Sequence, residues 1–431
     1  MYKLFSYKMR WFLVAALMTT NAYADTGSMT PDSLVSEVLE KNPELGLYQA
    51  EITAAKGSRK TAGLWTNPEV SGSIGQKRLW NEEDKLAGKG KTGDITVTQT
   101  FEWPGRIGLR KAIADRDIEL AELGLDQFQA LLVSRTKVAA YEFLAAQEKA
   151  AATREVADHF SALREVLVQR GQAGLTPQLE TRVIEAMELN MQRKASKASL
   201  AAQAALLNLN QLRGAAPDAK LSLASFNLSF SPLEKNQDAL VTLAKLNDFS
   251  VRGRKLELVR QNYRVGLAEN ERLPSVSVGP SVSQERAGDR ERVIAAVVSV
   301  PLPLWNLNQG NIDTAKAQRV QSETSFRIAE REAERRVIET IATYDTKLKE
   351  MAKWQPDSIQ HFREAAELAD RHYRLGSVPV STYIELQTQY LETIEGLQDT
   401  KKEALEAANQ LNLLTGTDLA LTNTPTEKKT K

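Results

Sequence analysis

"VSVPLPLWNLNQGNI", Val298 to Ile312, is the stretch on which the reading of this chain turns. An alternating apolar run ends at Pro301 and Pro303, Trp305 follows, and a polar turn leads into a long helix-periodic segment beginning near Gly310. Proline lacks an amide donor and so stops a strand ladder. The stretch alone fits either a strand leaving a membrane or a proline-marked strand end in a soluble domain. A second copy elsewhere in the chain narrows the choice.

That copy is "ITVTQTFEWPGRIGLRKA" from Ile95, which aligns with "AVVSVPLPLWNLNQGNIDTAKA" from Ala296 and places Gly105 on Gly310. The match extends over a period of about 205 residues, the signature of internal duplication. "LVSEVLEKNPELGLYQAEITAAKG" from Leu34 pairs with "LVTLAKLNDFSVRGRKLELVRQN" from Leu240, with Asn42 on Asn247. "NPEVSGSIGQKR" pairs with "LPSVSVGPSVSQER", with Pro68 on Pro274. "RGQAGLTPQLE" pairs with "YRLGSVPVSTYIE", with Gly174 on Gly376 and Pro177 on Pro379.

Each half therefore reads as a helix of about 30 residues (31–65 and 237–272), two alternating runs, a helix of about 67 residues, a Gly- and Pro-containing turn and a returning helix. The first repeat spans 25–213 with a hairpin at 68–103, a linker with room for a short strand covers 214–236, and the second repeat spans 237–416 with a hairpin at 274–303. Residues 417–431 read as a disordered tail. The long helices run from Gly105 to Gly171 and from Gly310 to Gly376, about 100 Å each at 1.5 Å per residue, with Pro356 expected to kink or break the second. Ile118, Ala121, Leu125, Phe128 and Leu132, and likewise Val337, Ile341, Tyr344, Leu348 and Met351, recur at coiled-coil spacing.

Composition agrees. The chain of 431 residues has no cysteine, 6% aromatics and a formal charge of +1, which excludes a disulfide framework, a thiolate metal site and a nucleic-acid footprint. Lys3, Lys8 and Arg10, the apolar run Trp11–Thr20 and Ala22-Tyr23-Ala24 read as a secretory signal occupying residues 1–24. No later apolar run is long enough for a transmembrane helix, so any membrane span is β. The alternating runs have that character: Ile95, Val97, Phe101 and Trp103 oppose Thr96, Thr98, Thr100 and Glu102, and Val276, Val278 and Val282 oppose serines. An apolar outside with a Ser/Thr inside is the pattern of a membrane barrel. Four strands cannot close alone, eight make a filled barrel, and three chains with twelve strands leave a channel. Trp103 and Trp305 fall where each strand leaves the bilayer.

"GKGKT", Gly88–Thr92, mimics the end of a phosphate loop but lacks the leading glycine and reads as the surface loop of the first hairpin. His159, His361 and His372 lie in helices without facing ligands, and no nucleophile–base set is evident, so the chain reads as a non-enzymatic conduit without cofactor or resident metal.

The duplicated helix–hairpin–long helix–turn–helix plan, with "YRLGSVPVSTYIELQTQYLET" as its most specific segment, resembles the TolC-type outer-membrane efflux family over the whole mature chain. "VPLPLWNLNQGNI" and "TQTFEWPGRIGLR" look most like its CzcC-like heavy-metal branch. The resemblance implies a mainly α fold with a transmembrane β part: a homotrimer with a twelve-stranded barrel in the outer membrane of a Gram-negative bacterium and a helical tunnel through the periplasm. Its implied partners are outer-membrane lipid, a periplasmic adaptor and an inner-membrane resistance-nodulation-division pump. The implied cargo is divalent metal, with multidrug efflux or type I protein secretion as the alternative. Some metal-branch relatives carry a lipidated cysteine, which this chain lacks, leaving the barrel as its anchor. The tips Gly174, Leu175, Thr176, Pro177 and Gly376, Ser377, Val378, Pro379 resemble adaptor-docking turns. Just beyond them, Glu180, Thr382 and Glu385 stand where the family narrows its tunnel, with threonine in place of a frequent acid.

Overall fold

The computed structural model describes residues 28–172, 178–226, 228–354 and 357–423. The signal segment and the first tip, Gly174–Pro177, lie outside the described residues. The first half contains α1 (Pro31–Lys41), α2 (Leu45–Ala62), β1 (Glu69–Trp80), β2 (Leu86–Phe101), α3 (Arg106–Gln172) and α4 (Gln178–Leu212). A short β3 (Ser229–Phe230) separates it from α5 (Gln237–Asn247), α6 (Phe249–Glu271), β4 (Val276–Arg286), β5 (Arg290–Ser299), α7 (Gln309–Met351), α8 (Ser358–Arg374), α9 (Val380–Thr415) and β6 (Thr422–Asn423). None of the described helices is long and apolar enough to cross a membrane.

Each 30-residue opening helix is in fact two helices. In the first half Pro43 excludes Asn42 from helical geometry, and Asn42 sits at ψ 122°. Its amide donates to Leu212 O at 2.8 Å, while its side-chain oxygen accepts from Glu44 N at 2.9 Å. In the second half Asp248 breaks the helix and caps α6 by accepting from Val251 N at 3.0 Å. Neighbouring Asn247 donates to Thr415 O at 2.7 Å. Both kinks are thus clamped to the end of a returning helix, which terminates in a left-handed glycine, Gly214 (φ +64°) or Gly416 (φ +63°). A Cβ there would meet Lys41 O or Asn247 Cβ at 2.7 Å, so the close approach itself requires glycine.

α3 is one unbroken helix of 67 residues packed on α2, α4, α6 and α9. Its counterpart is divided: α7 ends at Met351 and α8 begins at Ser358. The expected break thus starts five residues ahead of Pro356, which itself lies outside the described residues. The amides of Lys353 and Trp354 bond to carbonyls only three residues back, closing the helix in tight turns.

Two cores sit side by side at mid-height. Leu34, Val38, Phe128, Leu132, Phe143 and Leu209 form one. Leu240, Val337, Leu414 and the adjoining Tyr344, Leu411 and Leu421 form the other. The coiled-coil positions read from periodicity supply both. The segment expected as a disordered tail contributes here: Leu421 is buried and β6 pairs antiparallel with β3. Tyr344 holds that strand pair, its hydroxyl donating to Ser231 O at 2.7 Å with Leu421 O a second acceptor at 3.1 Å. Burial, with Asp345 nearby, pushes its phenol up to about 12. A further core lies toward the tips, where α3, α4, α8 and α9 bury Phe160, Leu163, Ile184, Met191, Tyr373 and Tyr383.

The four long strands form one antiparallel sheet in the order β1-β2-β4-β5, so the two repeats join through β2 and β4. Gly88–Thr92 is not the hairpin loop but part of β2, paired with β1 along its length and with β4 at Lys91 and Thr92. The turn is Asn81–Lys85, where Asn81 Oδ1 accepts from Lys85 N at 2.8 Å and Asp84 takes a left-handed φ of 60°. β1 supplies ladder partners for a polar Gly-Lys alternation that carries no strand signal of its own, and β4 joins at its inner end.

Candidate functional site

The sheet has two chemically distinct faces, because directly paired residues share a side. On one side lie Val70, Ile74, Ile95, Val97, Phe101, Val278, Val282, Ile294 and Val298, all exposed, with Ile74 at 94%. From Phe101 to Gly93, which pairs with Ile74, is eight residues, or ~27 Å of strand and roughly 20 Å of height at barrel tilt. That height is most of the roughly 25 Å apolar band of an outer-membrane barrel. On the other side Thr96 donates to Ser281 Oγ at 2.9 Å and Thr100 meets Ser277 Oγ at 2.9 Å. Ser73 bonds Asp94, and Lys77 pairs with Glu285. The alternation read from the sequence is realised strand by strand.

Both hairpins feed a long helix through a residue with positive φ: Gly105 (+90°) before α3 and Asn308 (+61°) before α7. The sequence alignment set Gly105 on Gly310, whereas the structure makes Asn308 its counterpart. Gly310 is already inside α7. Asn308 is suited to this place because asparagine tolerates left-handed geometry and its amide reaches Ala268 O at 2.8 Å. Arg106 ties the first junction to the second repeat, donating to Asn270 Oδ1 at 3.0 Å, Asn270 O at 2.9 Å and Leu273 O at 2.8 Å. Trp103 follows β2 by two residues, and Trp305 follows β5 by six and is 94% exposed. Trp65 was not singled out by sequence reasoning, yet it packs edge-on against Phe101 at 5.6 Å and joins Trp103 at this level. A tryptophan three residues before Pro68 and the strand start was the available signal.

At the far end, α8 closes in a Schellman turn. Ser377 N bonds to His372 O, and Gly376 N to Tyr373 O, both at 2.9 Å, with Gly376 at φ +74°. Val378 packs onto the tip core, and Pro379 stands at the N-cap of α9. Thr382 is half-buried and Glu385 exposed on the first turns of α9, while Glu180 is half-buried at the start of α4. The adjoining Tyr383 was missed: it is fully buried, 5.1 Å from the Phe160 ring and 5.3 Å from Tyr373, and burial together with Asp370 raises its phenol pKa. His361 and His372 are exposed on α8. Among the described residues no group of three or more His, Asp or Glu side chains is placed to hold a metal ion.

Comparison with known proteins agrees with this architecture. The family model "Outer membrane efflux protein" matches residues 34–215 and again 240–417, once per repeat. The cobalt-zinc-cadmium resistance protein CzcC of Cupriavidus metallidurans is 22% identical over 299 residues, covering 69% of each chain. The CmeC outer membrane channel of Campylobacter jejuni superposes with a TM-score of 0.70 at 16% identity, over 90% of this chain and 86% of that one. The open state of the MtrE outer membrane channel of Neisseria gonorrhoeae gives 0.66 at 15% identity, over 90% and 89%. These matches, with the two-faced sheet and the duplicated helical plan, establish that the chain is an outer-membrane efflux channel with a TolC-type fold, not an enzyme, and that it belongs to the outer membrane efflux protein family.

Proposed function

We propose that the chain is the outer-membrane duct of a tripartite export system and that its cargo is divalent heavy-metal cations of the zinc, cobalt, cadmium or nickel kind. The observation that carries the cargo assignment is the likeness to a cobalt-zinc-cadmium resistance protein over 69% of the chain. The duct closes as a homotrimer: among the described residues β1 and β5 each have one unpaired edge, and an open edge in hydrocarbon leaves backbone groups without partners. Three copies give twelve strands and a lumen lined by the Ser/Thr face. The turns Gly376–Pro379 and Gly174–Pro177 dock a periplasmic adaptor, which couples the duct to an inner-membrane pump of the resistance-nodulation-division class. Glu180, Thr382 and Glu385 line its narrowing, where a ring of carboxylates focuses negative potential and favours cations. Trp103 and Trp305 sit at the periplasmic interface of the bilayer.

Growth of cells with and without the chain is compared in zinc, cobalt, nickel, cadmium, copper, dyes and antibiotics, with cellular metal measured alongside. Selective loss of tolerance to divalent metals, accompanied by their accumulation, is the expected result. Sensitivity to dyes and drugs with unchanged metal tolerance sinks the cargo assignment and leaves the duct.

A further inference from the structure

The outward face of the sheet changes character above its apolar band. Following the register outward from Ile74–Gly93 and Val282–Ile294, the next residues on that face are Gln76, Arg78, Lys89, Lys91, Gln284, Arg286, Arg290 and Arg292. Six are cations, all exposed, and no acid shares the face. None of the six has a carboxylate partner among the described residues; Arg290 and Arg292 reach only the amide oxygen of Gln284, at 3.1 and 3.4 Å. The acids of the same strands, Glu69, Asp94, Glu285 and Glu291, all fall on the opposite face, where Lys77 pairs with Glu285. Glu82, Glu83 and Asp84 lie in the turn beyond, Glu83 bridging Lys85 at 3.1 Å.

A hairpin end kept soluble by charge would mix both signs. Here the signs are sorted by face, and like charges stand directly opposite one another: Arg78 with Lys89, and Lys91 with Arg286 and then Arg290. Such pairs destabilise a sheet unless an anion lies between them. The belt begins where hydrocarbon ends, at the row of Ile74, and occupies about 13 Å of strand on the side away from the helices, hence at the outer leaflet. What faces a barrel wall at that depth is lipid headgroup. Arginine recognises phosphate bidentately, and lysine adds point charge.

We propose that these six residues form a binding surface for phosphate-bearing glycolipid of the outer leaflet, which neutralises the belt and seats the barrel at a fixed depth. The inference rests on the sheet and is independent of the cargo.

The test uses the full chain extracted from outer membranes in mild detergent. Co-purifying phosphorylated glycolipid is quantified by phosphorus analysis and mass spectrometry. Replacing all six (Arg78→Gln, Lys89→Gln, Lys91→Gln, Arg286→Gln, Arg290→Gln, Arg292→Gln) lowers retained glycolipid about tenfold or more, since each cation near an anionic surface adds severalfold to binding. The inward-facing double variant Lys77→Gln/Glu285→Gln retains it at the wild-type level. Equal retention by belt and wild-type proteins overturns the proposal. Should the belt variant fail to assemble, the wild-type chain decides. Its unfolding temperature in phosphatidylcholine vesicles rises on adding diphosphorylated lipid A and not on adding the dephosphorylated form. An equal response to both forms, or the same rise with inorganic phosphate alone, overturns the assignment to lipid.

Discussion

The two long helices are copies of one element, yet α3 runs unbroken for 67 residues while its partner is divided between Met351 and Ser358. At mid-height the repeats agree closely: Leu34 and Leu240, Asn42 and Asn247, and Gly214 and Gly416 hold matching places. Toward the tip they diverge. A duplicated protein preserves the contacts that clamp its halves together and is freer where each half meets something of its own. Tyr373 and Tyr383 from the second half fill the tip core against Phe160 of the first, so the divided helix still packs.

The comparison is sharpened most by Leu209→Ala and Leu411→Ala, fully buried in the two mid-height cores. Each is expected to cost about 2–5 kcal/mol, and the two values should lie close together in thermal unfolding followed by circular dichroism. If only one is costly, the cores are not equivalent. Next comes Ala151→Pro, which places a proline at an exposed position of α3 near the level at which its sister is broken. About 3 kcal/mol or more should be lost, together with helix signal, because α3 has no built-in closure there. An unchanged helix signal would mean that continuity of α3 is incidental.

Glu37 tests a tie that joins α1 to the end of α4. Arg213 Nε and Nη2 donate to its carboxylate at 3.0 and 3.3 Å. Burial alone would raise this carboxyl, but the bonds from Arg213 and Lys41 outweigh it and hold the pKa below the usual 4.5. A depressed folded-state value means that the stabilisation is present above the ordinary carboxylate pKa and lost as pH falls through the folded one. Glu37→Ala should cost ~1–3 kcal/mol at neutral pH, with the difference from wild type shrinking below about pH 4 in the same unfolding assay. A constant difference across that range would assign the loss to packing instead. The smallest effect is expected from Gly376→Ala, about 1–2 kcal/mol, since alanine must adopt φ near +74°. A neutral outcome in chemical denaturation would show that the tip relaxes to another turn.

Much of this fold is legible in residue order. Period-two alternation marked the hairpins to within two residues at three ends and four at the other, because a sheet with lipid on one side and water on the other cannot hide its pattern. Gly376 and Pro379 announced the turn through backbone chemistry that is local by nature. The Gly88–Thr92 run reads as a loop because its strand geometry comes from pairing with β1, and with β4 at Lys91 and Thr92, rather than from its own residues. Tyr383 was passed over because a tyrosine on an amphipathic helix reveals nothing of the two rings it meets.

The membrane-facing alternation and the length of α3 were written in local spacing, where each residue's neighbours in sequence are its neighbours in space. Packing decided that the bends of the opening helices are clamped to the ends of the returning helices, that Asn308 rather than Gly310 matches Gly105, and that Thr422 and Asn423 return to pair with β3. It also decided that β2 meets β4 across the repeats, which sorts six cations onto one face and their acids onto the other. These depend on contacts between segments up to about 200 residues apart, and no local periodicity encodes which distant partner a strand or a kink will find.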